Sequence, residues 1–236
     1  MPNYDEKGIH TESENTLKDI AVWANTPFPF SLKDSLYRFG ILGTLGYLFL
    51  LDLPNTHIIE IGTGESSIYL TEVARRLDRR MFYCDYAYGK IFNPLTVKGY
   101  LYEDTILLKE KTVIQDYLQN KGVAYCGTSD NFFKDLSFPS IGLAFIDGEH
   151  KYEYVKRDFD NIFKLLVPNG VIFLHDTYPP EESLVLNSYC EDSYKIRQEL
   201  EKRTDVDIFT FTKTVGVGVG ITMCRKKPEQ LPYYQK

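Results

Sequence analysis

From His57 onward, short apolar runs alternate with stretches of helical periodicity, and no other feature narrows the available folds as much. His57–Ile61, Met81–Cys84, Val123–Cys126, Leu143–Ile146 and Val171–Leu174 read as strands, rich in branched and aromatic residues with few charges. Such runs belong to strands covered on both faces. Helical stretches between them, such as Ser67–Leu77, carry the chain back to the same edge, so neighbouring strands pair in parallel. One helix is explicit: Val155, Phe159, Ile162, Phe163 and Leu166 follow the i, i+4, i+7, i+8, i+11 stripe, and Pro168-Asn169-Gly170 ends it. A further helix is expected over Ser193–Arg203. Two closing strands, Val206–Thr212 and Val215–Cys224, are joined tightly enough to make one of them antiparallel. The fold class is therefore α/β, a doubly wound, mostly parallel sheet with an antiparallel C-terminal hairpin strand.

Two regions resist that pattern. Residues 1–54 hold polar residues, then helical stretches around Thr16–Asn25 and from Ser31 to Leu51, ending at the turn Asp52-Leu53-Pro54-Asn55. They are expected to form an N-terminal helical extension, a cap or a surface through which two copies pair as a homodimer. Gly40, Gly43 and Gly46 bare one helix face there, which close packing accounts for better than a face left open for a ligand. Residues 55–236 then form the main domain. Within it, Tyr86–Leu107 is too long for a simple crossover and reads as an insertion, with a helix near Thr112–Gln119 after it.

Composition excludes several functions. The 236 residues carry a net charge of −6, with 43% hydrophobic residues, which argues for a packed core and against a basic nucleic-acid-binding face. No apolar run approaches membrane-spanning length. The four cysteines, Cys84, Cys126, Cys190 and Cys224, lie far apart without metal-site spacing, as in a reduced cytoplasmic protein. No nucleic acid and no membrane is expected as a partner. A small molecule is.

In an open parallel sheet, ligands bind beyond the carboxyl ends of the strands. Those ends carry Glu60-Ile61-Gly62-Thr63-Gly64-Glu65-Ser66-Ser67, then Asp85, Gly127-Thr128-Ser129-Asp130, Asp147-Gly148-Glu149-His150 and His175-Asp176-Thr177. Five polar ends on one rim describe a site. Gly62 and Gly64 permit a tight turn and close backbone approach to a ligand, and Asp85, 21 residues after Gly64, is placed for a ribose hydroxyl. A dinucleotide fingerprint wants a third glycine where Ser67 stands. Glu60, an acid before the loop, suits a cationic amino-acid headgroup better than a pyrophosphate.

These motifs resemble the class I S-adenosylmethionine-dependent methyltransferases. Phe145-Ile146-Asp147-Gly148-Glu149-His150-Lys151-Tyr152 and Pro168-Asn169-Gly170-Val171-Ile172-Phe173-Leu174-His175-Asp176-Thr177 are similar to a group that includes macrolide-sugar O-methyltransferases and cephalosporin-hydroxylase-like proteins. The resemblance covers about residues 55–224 and implies a Rossmann-like methyltransferase sheet. It also implies S-adenosylmethionine held by Glu60, Gly62, Thr63, Gly64, Ser66, Asp85, Ser129, Asp130 and Asp147. By the same resemblance Asp147, Asp176 and His175 would hold Mg²⁺, and His150, with Asp147, would be catalytic, the imidazole acting as base. Related enzymes often carry a second acid or an Asn beside the acid at Asp176, where this chain has His175 and Thr177. The implied reaction is Mg²⁺-assisted O-methylation of a small-molecule hydroxyl. Two other readings stay open: a nicotinamide-dependent oxidoreductase, and a noncatalytic protein that keeps the cofactor fold. Asp147 could also simply cap a helix, and His150 could pair with Glu149 or Glu153.

Overall fold

A computed structural model describes residues 39–86, 101, 104–109, 117–186, 190–212 and 219–228. In chain order these form α1 (Gly40–Leu51), β1 (His57–Ile61), α2 (Ser66–Arg76), β2 (Met81–Asp85), β3 (Ile106–Lys109), a 3₁₀ turn (Tyr117–Gln119) and β4 (Gly122–Cys126). Next come α3 (Ser129–Asp135), β5 (Ile141–Ile146), α4 (Tyr152–Leu165), β6 (Leu166–His175), α5 (Glu182–Leu186), α6 (Tyr194–Leu200), β7 (Val206–Phe211) and β8 (Ile221–Lys226). The helix expected over Thr16–Asn25, residues 31–38 of the next one, most of the Tyr86–Leu107 insertion, and Gly216 and Gly218 lie outside the described residues.

The eight strands form one sheet in the order β3-β4-β2-β1-β5-β6-β8-β7. Pairing is parallel from β3 through β6; β8 runs antiparallel to both β6 and β7. The expected mostly parallel, Rossmann-like sheet with one reversed closing strand is what forms. The chain reverses its direction of winding between β1 and β5, whose carboxyl ends therefore frame the crevice.

Side chains alternate across the pleat. Ile58, Leu143, Phe145, Val171 and Phe173 face a layer that contains Leu42 and Leu50 of α1 and Leu70 and Val73 of α2. Ile59, Ile61, Ile146, Ile172 and Leu174 face the other layer, with Phe132 of α3, Phe159 and Ile162 of α4, and Ile196 of α6. α1 lies directly on the sheet. A Cβ on Gly46 would stand 2.7 Å from the Leu143 side chain, so close packing does explain that bare position. The same holds for Gly220, at φ +86°, where a Cβ would meet that of Tyr178 at 2.7 Å.

Three elements are not expected from the sequence: β3, α3 and the short α5, Glu182–Leu186. β3 adds an edge strand within the stretch read as insertion and linker, and α3 follows β4 where no helix was read. Pro168-Asn169-Gly170 does interrupt the chain, but as a looped-out segment of β6. Leu166 stands opposite Ile141, whereas Val171 already stands opposite Leu143, and Asn169 takes the left-handed φ of 66° that the detour requires.

Candidate active site

The loop after β1 is fixed by its neighbours. Gly62 sits at φ +82°, and a Cβ there would fall 2.0 Å from the carbonyl oxygen of Asp147, so no other residue fits. The Asp147 N–H donates to the Ile61 carbonyl at 2.8 Å and the Gly62 N–H to the Cys84 carbonyl at 2.9 Å, locking the ends of β5, β1 and β2 together. Gly64 is different. A Cβ there would meet nothing within 4 Å, so packing gives no reason for glycine at that place.

Glu60 follows Ile58 by two residues and so points to the α2 side of the sheet. It is fully buried. Ser66 and Ser67, in the first turn of α2, donate to its two carboxylate oxygens at 2.6 and 2.7 Å. Burial pushes its pKa up to about 8 despite those bonds. Glu60 and Ser66, expected at the cofactor, are thus paired with each other beneath the glycine turn. Asp85 stands at the rim and accepts from both the N–H and the hydroxyl of Thr63 at 2.8 Å.

A cavity of about 430 Å³ opens over these strand ends, lined by residues that include Gly62, Thr63, Asp85, Ser129, Asp130 and Asp147. That volume lies in the range of small-molecule sites. Glu60, Gly64 and Ser66 are not among its lining residues. Three others on α4, missed in the sequence, are: Tyr154, Arg157 and Asp158. Arg157 pairs with Asp130 at 2.6 Å. Burial raises the Asp158 pKa to about 6, against a hydrogen bond from Ser129. Asp158 did leave a signal, a carboxylate lying between Val155 and Ile162 on the apolar stripe of α4.

Beside the cavity, Asp147, His150, His175 and Asp176 come together, with one ligand-type atom from each lying within 4.8 Å of all the others. His175 Nδ1 is 2.9 Å from Asp147 Oδ1 and 3.3 Å from Asp176 Oδ2. His150 Nε2 is 3.5 and 3.6 Å from the same two oxygens. His175 shares its sheet face with Val171 and Phe173, and its ring lies against Phe39, just ahead of α1, and Phe145, with centroids 5.2 and 6.1 Å away. Burial alone would lower its pKa, but the hydrogen bonds and charges of Asp147 and Asp176 outweigh that and push it up to about 10. Burial likewise opposes ionisation of Asp147, yet bonds from His150 and His175 hold its carboxyl below the usual range. Asp176 takes a left-handed φ of 53°. Its carboxylate accepts from the Val219 N–H at 2.9 Å and its carbonyl from the Ser193 hydroxyl at 2.6 Å, so the turn is held from two sides.

Residues 59–177, half of the chain, match the family described as "Methyltransferase domain". The chain belongs to that methyltransferase family. An O-methyltransferase from Bacillus cereus, solved in complex with SAH, superposes on this methyltransferase with a TM-score of 0.56 at 16% identity, covering 93% of this chain and 92% of that one. The O-methyltransferase TomG from Streptomyces achromogenes, in complex with SAM, gives a TM-score of 0.54 at 17% identity, covering 97% and 92%. At such identities these likenesses concern the fold. A protein of Sinorhizobium fredii, y4gI, is 35% identical over 66 residues, which are 28% of this chain and only 7% of that protein's length. Among the described residues, no helix is long and apolar enough to cross a membrane.

Proposed function

We propose that this methyltransferase binds S-adenosylmethionine in the 430 Å³ cavity and transfers its methyl group to a hydroxyl oxygen of a small molecule. One observation carries the reading: Asp147 belongs both to the cavity wall and to the acid–imidazole cluster, so cofactor and acceptor chemistry meet at one residue. Two of the superposed O-methyltransferases, which carry SAH or SAM, support the same choice of cofactor and of oxygen as acceptor.

Asp85 and Thr63 would take the ribose edge, Ser129 and Asp130 would border the adenine, and the open side of Gly64 would admit the methionine part. S-adenosylmethionine supplies a methyl group already activated on sulfonium. The chain has to orient the acceptor and remove its proton, and alignment of this kind is worth up to about 7–11 kcal/mol in ideal cases. His150 is suited to accept the proton. Its side chain is 25% exposed, and it lies beside two carboxylates that stabilise the imidazolium it becomes.

Asp147, Asp176 and His175 fit a divalent cation in charge and spacing. They do not fit Mg²⁺, whose preferred donors are oxygens, because the third donor is the His175 nitrogen. Among the described residues none of the four cysteines forms a disulfide, which supports a cytoplasmic setting.

The test is methyl transfer from isotopically labelled S-adenosylmethionine across a panel of phenols and sugars. Wild-type protein is expected to yield a methyl ether and S-adenosylhomocysteine. His150→Gln should lower kcat by about 10²–10⁴ while cofactor affinity stays unchanged. Full activity in that variant would remove His150 from the mechanism, and no transfer to any oxygen acceptor would overturn the assignment.

A further inference from the structure

We infer that Asp147, Asp176 and His175 bind a later first-row transition-metal dication of the Co²⁺ or Zn²⁺ type in preference to Mg²⁺, with the buried nitrogen of His175 as the selecting donor. The inference rests on the cluster placed above at the methyl-transfer site, and it concerns which ion that cluster takes.

The spacing around His175 suits one shared ion, and one donor atom from each of the three residues lies within 4.8 Å of the others. His175 Nδ1 is 2.9 Å from Asp147 Oδ1 and 3.3 Å from Asp176 Oδ2. Donors bound at about 2.0–2.1 Å stand about 2.9 Å apart in an octahedral shell and about 3.4 Å apart in a tetrahedral one. Both observed separations fall in that interval. Two carboxylates, with an imidazole that gives up its proton as the ion enters, also balance a dication's charge.

The donor type then separates the ions. Imidazole suits the later first-row metals, whereas Mg²⁺ binds carboxylate, carbonyl and water and dehydrates reluctantly. His175 cannot readily turn away to leave an all-oxygen site. It is buried, at 8% exposure, with its ring against Phe39 and Phe145. The turn that carries Asp176 is tied to Val219 and Ser193. His150, the more exposed imidazole, lies slightly further from the same oxygens and is left to act as base.

The test is titration of chelator-stripped full-length protein with Co²⁺, read by its visible absorption and by calorimetry, alone and against excess Mg²⁺. One equivalent of Co²⁺ held against that excess is the expected result. Displacement of Co²⁺ by Mg²⁺ at comparable concentration, or no Co²⁺ binding at all, overturns the inference. His175→Asn, which offers an amide oxygen in place of the nitrogen, should move the Co²⁺/Mg²⁺ preference toward Mg²⁺ by about tenfold or more, and an unmoved ratio in the folded variant also overturns it. If His175→Asn does not fold, the wild-type competition still decides the question. His150→Gln should leave the ratio unchanged, and a comparable shift there would assign the selecting nitrogen to the wrong histidine. S-adenosylhomocysteine binding by the stripped protein reports on the methyltransferase reading separately, so failure of one is distinguishable from failure of the other.

Discussion

At the scale of single residues, Gly62 and Gly64 share one turn under different constraints, and substitution separates them. An alanine Cβ at position 62 would overlap the Asp147 carbonyl at a φ that L-residues rarely adopt. Gly62→Ala should therefore destabilise the fold by about 2 kcal/mol or more and push the β1 and β5 loops apart. Gly64→Ala meets no protein atom within 4 Å, so its melting temperature should stay close to wild type while S-adenosylhomocysteine affinity falls. Thermal melts and calorimetry on both variants check this, and equal stability losses would show that the protein itself, not a ligand, needs glycine at 64. Glu60 gives a pH signature. Its carboxyl ionises near 4.5 when unfolded but near 8 when buried, so the folded state binds the extra proton between those values. Stability from this group is then full below pH 4.5, declines as pH rises through 8, and levels off above. Glu60→Gln removes that decline. Denaturation midpoints of variant and wild type should converge toward pH 5 and separate toward pH 9 in favour of the variant. A wild type that gains on the variant with rising pH would contradict the buried, protonated state.

At the scale of elements, α1 behaves as part of the core. Leu42 and Leu50 are fully buried in the layer that also contains Leu143, Val171 and Phe173. Leu50→Ala should cost about 2–5 kcal/mol in chemical denaturation; a loss within about 0.5 kcal/mol, as at a surface site, would show the helix to be a loose attachment. Phe39, one residue before α1, touches His175, so the same helix steadies the metal-type cluster. Much of this architecture could be read from the chain, because buried parallel strands and the α4 stripe leave continuous or periodic apolar patterns. What escaped lacked such a pattern. β3 is a four-residue edge strand, only partly buried. α3 is a seven-residue helix that buries a single side chain, Phe132, and is started by Thr128, whose hydroxyl accepts from the Asn131 N–H. The strand-end acids and histidines were legible because polar residues interrupt apolar runs there. The inward pairing of Glu60 with Ser66 and Ser67 was not, since it depends on how α2 sits over β1.

At the scale of the whole molecule, the sheet order decides which ligand the crevice favours. The switch point lies between β1 and β5, and the start of α2 stands over it. In a dinucleotide site that helix start receives a pyrophosphate at a third glycine. Here the place belongs to Ser67, whose hydroxyl is bonded to Glu60 and also accepts from the Gly64 N–H at 3.2 Å. A second phosphate there would have to break both contacts beside a buried acid. A ligand with an adenosine end and a thioether or sulfonium in place of the second phosphate carries no such cost, and the cavity offers Asp85, Ser129 and Asp130 at one side and Asp147 at the other. S-adenosylhomocysteine at about 100 times its Kd should therefore stabilise the protein by about 2.7 kcal/mol, a rise in Tm of about 5–10 °C for a chain of this length. NAD at the same concentration should give no shift. A rise with NAD and none with S-adenosylhomocysteine would reverse the choice of cofactor on an unchanged fold.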